Sequence, residues 1–195
     1  MNVLLRKVWH VLGLVLPALY YFGLLSRTTT LIVVGAGTAF ALFLEVLRFK
    51  NEVAARVFAA VFRPLLREEE YRALNATIPY LIATFLVLLI FPKAIAWVAL
   101  VYVALGDVAA HLVGGALGRV RIASGKTLEG TLACFGICFA AGWLFLDWRL
   151  ALAGAAAAAA AELLSRGWVD NFTMPVAAGA VMWFLSCVAR IGLPA

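Results

Sequence analysis

Asp107 lies in WVALVYVALGDVAAHLVGG, residues 97–115, where it is the one full charge and His111 the one titratable ring. A carboxylate at mid-helix in a bilayer costs about 2.5–3.5 kcal/mol on insertion scales, so something must face it. The polar groups available are few. Glu45, Arg48, Lys126, Glu162 and the Asp170–Asn171 pair sit in or beside apolar runs. Arg6, Lys7 and His10 open the first run, and Arg67, Glu70 and Asn75 fall in a polar stretch. Carboxylates mixed with guanidinium and ammonium groups suit Mg²⁺ bound to polyphosphate. The ion takes one or two carboxylates plus phosphate oxygens, and the cations neutralise the remaining phosphate charge. A proton relay, an anion path, or an ion-pair network that only locks helices together uses the same residue types.

Glycines add to the phosphate reading. Gly106 directly precedes Asp107, and Gly114, Gly115 and Gly118 follow it, with Arg119 next in the chain. Glycine permits close backbone approach and positive φ, so residues 114–118 read as a loop whose N–H groups point at an anion. SGKTLEG, residues 124–130, puts Lys126 at a helix N-terminus, where amides and ammonium meet the same ligand. It is not a Walker A loop, because Val120 stands where GxxxxGK[ST] requires glycine. Cys134 and Cys138, spaced i,i+4, read as small apolar side chains at a helix contact rather than as metal ligands.

The elements that must position these groups are membrane helices. The 195 residues are 66% hydrophobic and 13% charged, far from the balance of a soluble domain. Apolar runs at about 8–25, 29–47, 76–91, 94–117, 127–146, 150–164 and 173–193 predict a single all-α, polytopic transmembrane domain over residues 1–195, with about seven spans. The run after Arg6–Lys7 reads as a retained helix, not a cleaved leader. NEVAARVFAAVFR, residues 51–63, places Val53, Val57 and Val61 on one face, with Leu65 continuing it. That pattern reads as an amphipathic helix on the cytoplasmic leaflet, broken near Pro64. With the N-terminus inside, twelve of sixteen Lys and Arg fall in inner loops and four in outer ones, so the positive-inside rule favours a cytoplasmic N-terminus. The net charge of +6 is strung along loops rather than massed, so it indicates anionic headgroups and phosphates, not nucleic acid.

On this topology Glu45, Asp107, Lys126, Glu162 and Asp170 all fall at one depth, the cytoplasmic interface, while the outer half is nearly featureless. A transport path needs polar groups through the full membrane depth, and here they stop halfway.

Read in order, RKVWH (6–10), Glu45–Arg48 followed by Asn51, Leu66–Glu70 with Asn75, GDVAA (106–110) with Gly114, KTLEG (126–130) and VDNFTMPV (169–176) resemble the polyprenol kinase family. That family includes dolichol kinase, phytol kinase and the CTP-dependent diacylglycerol kinase of yeast, and is distantly similar to CDP-diacylglycerol synthases. The resemblance covers nearly the whole chain. It implies transfer of the γ-phosphate of CTP to a lipid hydroxyl with a divalent metal, Mg²⁺, at the cytoplasmic face. It favours an isoprenoid alcohol as acceptor, with diacylglycerol as the alternative and a cytidylyltransferase as a more distant one. It gives Arg6, Lys7, Asp107 and Lys126 catalytic positions. Arg48, Arg67, Glu70, Asn75, Gly106, Gly114, Gly118 and Arg119 become candidate nucleotide contacts, and Asp107, Asp170 and Glu45 candidate metal ligands. Asp107 fits either the metal ligand or the base. The chain departs from many relatives in carrying Gly115–Ala116 where they have a basic pair, and Ala76 where they often have glycine.

Overall fold

The structure is a computed structural model that describes residues 8–9, 11–62, 73–122, 125–165, 167 and 169–194. The helices are α1 (Val15–Tyr21), α2 (Arg27–Lys50), α3 (Glu52–Phe62), α4 (Thr77–Ile90), α5 (Lys93–Leu117), α6 (Leu128–Trp143), α7 (Trp148–Leu164) and α8 (Asp170–Val188). No β-strand forms among the described residues; an isolated bridge joins Arg121 to Thr127. The all-helical expectation holds. The span count is coarser than expected: α2, α5 and α8 are long and apolar enough to cross a membrane, whereas α4 and α6 are apolar but shorter. Of the first expected span, residues 8–9 and 11–25 are described, and they contain α1, of 7 residues.

The bundle is built around α5, in which every residue from Ala94 to Ala104 is buried. Such a helix, apolar on all faces, must be enclosed on all sides. Helices α6, α7 and α8 pack on one another in sequence order and close around it, with α4 on the remaining flank. Small residues set the closeness. A Cβ at Gly154 would strike Met182 Sδ at 2.6 Å, and one at Gly106 would meet Cys138 Sγ at 2.8 Å and Cys134 Sγ at 3.0 Å. The two cysteines are thus buried at the α5–α6 contact, as their spacing indicated.

Helix α2 is peripheral. It buries Thr30, Val34, Thr38, Glu45 and Arg48 along one stripe and exposes Ile32, Phe40, Phe43 and Phe49. Large apolar groups facing outward along a 24-residue helix fit a hydrocarbon solvent. The helix expected at the leaflet forms as α3 and rests on α2, with Val53, Val57 and Val61 exposed. It is described as far as Phe62; the expected break at Pro64, and Leu65 with it, lie outside the described residues.

The two ends of the bundle differ in what their cations meet. At one end Arg27 donates to the carbonyls of Leu88 (3.2 Å) and Leu89 (2.6 Å), acceptors left over at the end of α4. Lys93 sits over the rings of Tyr20 and Tyr21 at 5.9 and 5.8 Å. Arg149 at that end pairs with the partly exposed Asp147 at 3.0 Å, whereas at the other end Arg48 and Lys126 pair with buried carboxylates.

Candidate functional site

The charged end gathers the last turns of α2, α5 and α7 and the first turns of α4, α6 and α8. The chain alternates direction, so every helix brings its polar terminus to this end. Asp107, Ala110, His111 and Gly114 follow the i, i+3, i+4, i+7 spacing of one helical face on α5. They line a cavity of about 340 Å³, completed by Gly125, Lys126, Thr127, Gly130 and Thr131 from the start of α6, by Glu162 from the end of α7, and by Gly167 and Asp170 at the start of α8. Two helix N-termini therefore open onto the same space, each carrying partial positive charge.

Lys126 is held by its local turn. Ile122 N–H donates to Lys126 O and Leu128 N–H to Val120 O, both at 2.9 Å, and Gly125 takes φ +79° where the chain reverses. That positive φ is what glycine supplies in SGKTLEG. Thr127 caps α6 by accepting from Gly130 N–H at 3.2 Å. Glu129 accepts from Val120 N–H at 3.2 Å and ties the turn to the helix. The Lys126 ammonium then lies 2.7 Å from Glu162 Oε1 and 3.5 Å from Asp170 Oδ2, and also donates to the Glu162 carbonyl. Asp170 is the first residue of α8, and its Oδ1 accepts from Asn171 N–H at 2.9 Å. Glu162 is 5% exposed, and its Oε2 has no hydrogen-bond partner among the described residues.

A second polar group forms on the α2–α4 side. Arg48 Nε donates to Glu45 Oε2 three residues back, while Glu45 Oε1 accepts from Asn75 N–H at 2.7 Å. Arg48 also donates to the Ala73 carbonyl at 2.7 Å and lies against the rings of Phe49 (4.4 Å) and Phe58 (4.9 Å). Asn75 Oδ1 accepts from Thr77 N–H at 2.9 Å and so caps α4. Asn171 Nδ2 donates to the Ala76 carbonyl at 3.4 Å, linking this cluster to α8.

Of the residues expected from sequence, Asp107, Gly114, Lys126 and Asp170 are brought together in the cavity wall. Gly106, Gly118, Arg119, Asn75, Arg48 and Glu45 are not part of that wall. Each Glu45 oxygen has a partner within the protein, Arg48 for one and Asn75 N–H for the other. Arg119 is exposed on the turn after α5. Arg6, Lys7, His10, Arg67 and Glu70 lie outside the described residues.

The glycine reading changes. Residues 114–117 are helical, and Gly118 caps α5 with φ −65°, so no glycine loop forms there. A Cβ at Gly114 would sit 2.8 Å from Thr127 Oγ1, and one at Gly130 would sit 2.7 Å from the Ala110 carbonyl. These glycines let α5 and α6 approach closely enough to bring Asp107 and Lys126 to one cavity. Glu162 and Gly125 complete the site. The signal for Glu162 was present: a lone carboxylate ends an alanine run of the kind that packs helices closely.

The arrangement is that of a helix bundle with three helices long and apolar enough to cross a membrane, and with a cavity at one end lined by Lys126 and the carboxylates of Asp107, Glu162 and Asp170. The chain is homologous to the protein named CTP-dependent diacylglycerol kinase 1 of Schizosaccharomyces pombe, with 29% identity over 161 residues covering 72% of this chain and 74% of that protein. The protein of the same name from Eremothecium gossypii is 27% identical over 88% of this chain and 63% of its own length. An uncharacterized protein of Rickettsia prowazekii is 25% identical over 67% of this chain and 64% of its own length. No family model matches the chain, and no solved structure matches it.

Proposed function

We propose that this chain is a CTP-dependent lipid kinase that moves the γ-phosphate of CTP to the hydroxyl of diacylglycerol, giving phosphatidate, at the cytoplasmic face of a membrane. The observation that carries this is the cavity that unites Asp107, Lys126 and Asp170 at two helix N-termini. Sequence alone favoured an isoprenoid alcohol as acceptor. The reading moves to diacylglycerol because two homologues from different fungi carry that substrate in their names. The cytoplasmic placement rests on the charge bias of the loops.

Phosphoryl transfer asks a protein mainly for positioning and charge neutralisation. Lys126 and the amides opening α6 and α8 supply positive charge for the phosphates. Asp107 and Asp170, on two separate helices of the wall, are the residues assigned to Mg²⁺. Among the described residues no group of three or more His, Cys, Asp or Glu is arranged around an ion. That fits Mg²⁺ delivered with the nucleotide, which draws its other ligands from phosphate and water. When bound, the ion neutralises charge developing on the transferred phosphoryl group. Arg6, Lys7, Arg67 and Glu70 are assigned to the nucleotide by the resemblance. The Glu45–Arg48 pair is assigned to holding residues 73–76 against α2.

Purified protein incubated with CTP labelled at the γ- or α-phosphate, and with diacylglycerol, phytol or a polyprenol, tests the proposal. γ-Label in phosphatidate is the expected result. γ-Label in an isoprenoid alone shifts the acceptor, and α-label in lipid with release of pyrophosphate replaces the kinase with a cytidylyltransferase.

A further inference from the structure

The geometry points to Glu162 as the group that holds and deprotonates the acceptor hydroxyl, a role that rests on the lipid-kinase reading above. Glu162 is 5% exposed, lines the cavity, and pairs through Oε1 with Lys126 at 2.7 Å. Its Oε2 is buried without a hydrogen-bond partner among the described residues. Leaving a buried acceptor unsatisfied costs about 1–3 kcal/mol, and more for a charged group. An oxygen kept in that condition, on a residue that lines a cavity, lacks an atom that the described residues do not supply.

A hydroxyl proton and a divalent cation both satisfy a carboxylate oxygen. Three observations favour the hydroxyl. The Lys126 ammonium already compensates the Glu162 charge, so a neutral donor completes the group where a second cation adds unpaired charge. No cluster of three or more ion ligands forms among the described residues, so Glu162 is not one corner of a preformed ion cage. Helix α7 carries no other ionisable side chain from Ala155 to Leu164, so it brings a single carboxylate to the cavity rather than a set of ion ligands.

The alcohol oxygen bonds to the γ-phosphorus of CTP, and the bond from that phosphorus to the β,γ-bridging oxygen breaks. CDP leaves with the electron pair, and the hydroxyl proton passes to Glu162 Oε2 and then to water. Lys126 couples the two halves. Its Nζ is shared by Glu162 and Asp170, and an arriving phosphate competes for it.

Glu162→Gln keeps the size and one acceptor oxygen but takes no proton. With full-length protein in detergent, CTP and diacylglycerol, kcat is expected to fall about 100-fold or more, while the CTP Kd measured without lipid stays within about threefold of wild type. Glu162→Asp restores the carboxylate and is expected to recover about tenfold over the glutamine variant. It carries the test if melting curves show that Glu162→Gln does not fold. Retention of more than about a third of kcat in the glutamine variant overturns the assignment. So does recovery of activity at excess Mg²⁺, which makes Glu162 an ion ligand. A loss of CTP affinity of about tenfold or more also overturns it, because Glu162 then acts only by positioning Lys126. Wild-type protein that phosphorylates no lipid alcohol removes the kinase reading itself, and is told apart by requiring no variant.

Discussion

Glu45 and Glu162 are both buried carboxylates near a helix C-terminus, each paired with a cation, yet they do opposite things with their second oxygen. Glu45 Oε2 pairs with Arg48 and Oε1 accepts from Asn75 N–H, so each oxygen has a partner. Glu162 Oε1 pairs with Lys126 and Oε2 has no partner among the described residues, on a side chain that lines a cavity with Asp107 and Asp170. A buried polar group with every partner in place fastens segments of chain together, and one with a partner missing is set for something else. The difference separates a fastening from a site, although both clusters contain the residue types that phosphate chemistry requires.

The largest expected effect lies on the cavity side. Asp107→Asn preserves shape and is expected to lower lipid phosphorylation about a thousandfold, with expression and detergent melting unchanged. Retained activity removes Asp107 from the chemistry and the cavity with it. Next comes the fastening. Glu45→Gln leaves the buried Arg48 guanidinium without its counter-charge and is expected to cost about 3–5 kcal/mol of stability, read from unfolding in detergent. The kcat of the protein that remains folded should stay near wild type; a collapse of kcat at full stability would make Glu45 part of the site. The smallest effect is expected at the opposite end, where Asp147 caps α7 and accepts from Arg149. The Arg149 side chain and then its backbone N–H hold the Asp147 carboxyl below its ordinary value. Its contribution is therefore complete at neutral pH and is lost on acidification through that lowered value. Asp147→Ala should lower the melting temperature slightly at pH 7, make no difference in strong acid, and leave kinetics untouched. A change in kcat would extend the functional region beyond the charged end.

Much of this was legible in the sequence, for physical reasons that vary by element. The apolar runs at 29–47, 94–117 and 150–164 lie within or around α2, α5 and α7, because spanning length and apolar composition leave the backbone no alternative to a helix. The face Val53, Val57 and Val61 marked α3 by its period. The gathering of polar groups at one end followed from alternating helix directions. What sequence could not separate was the role of glycine at 114 and 130. A phosphate loop and a close helix crossing both require the absence of Cβ, and the Thr127 and Ala110 contacts show the second. Nor could it rank Glu45 above or below Glu162. That ranking depends on residues 73–76 folding back to supply Asn75 N–H and the Ala73 carbonyl, a contact across 30 positions of chain that local spacing does not encode.

The central claim is that the nucleotide's phosphates bind beside Lys126 and not beside Arg48. Equilibrium binding of CTP to Lys126→Ala and to Glu45→Gln, each verified as folded at the temperature used, tests it most directly. The account predicts a loss of about tenfold or more for Lys126→Ala, the worth of one charge-assisted contact of about 1.5–3 kcal/mol, and no loss for Glu45→Gln. Unchanged affinity in Lys126→Ala, or an equal loss in both variants, would contradict it.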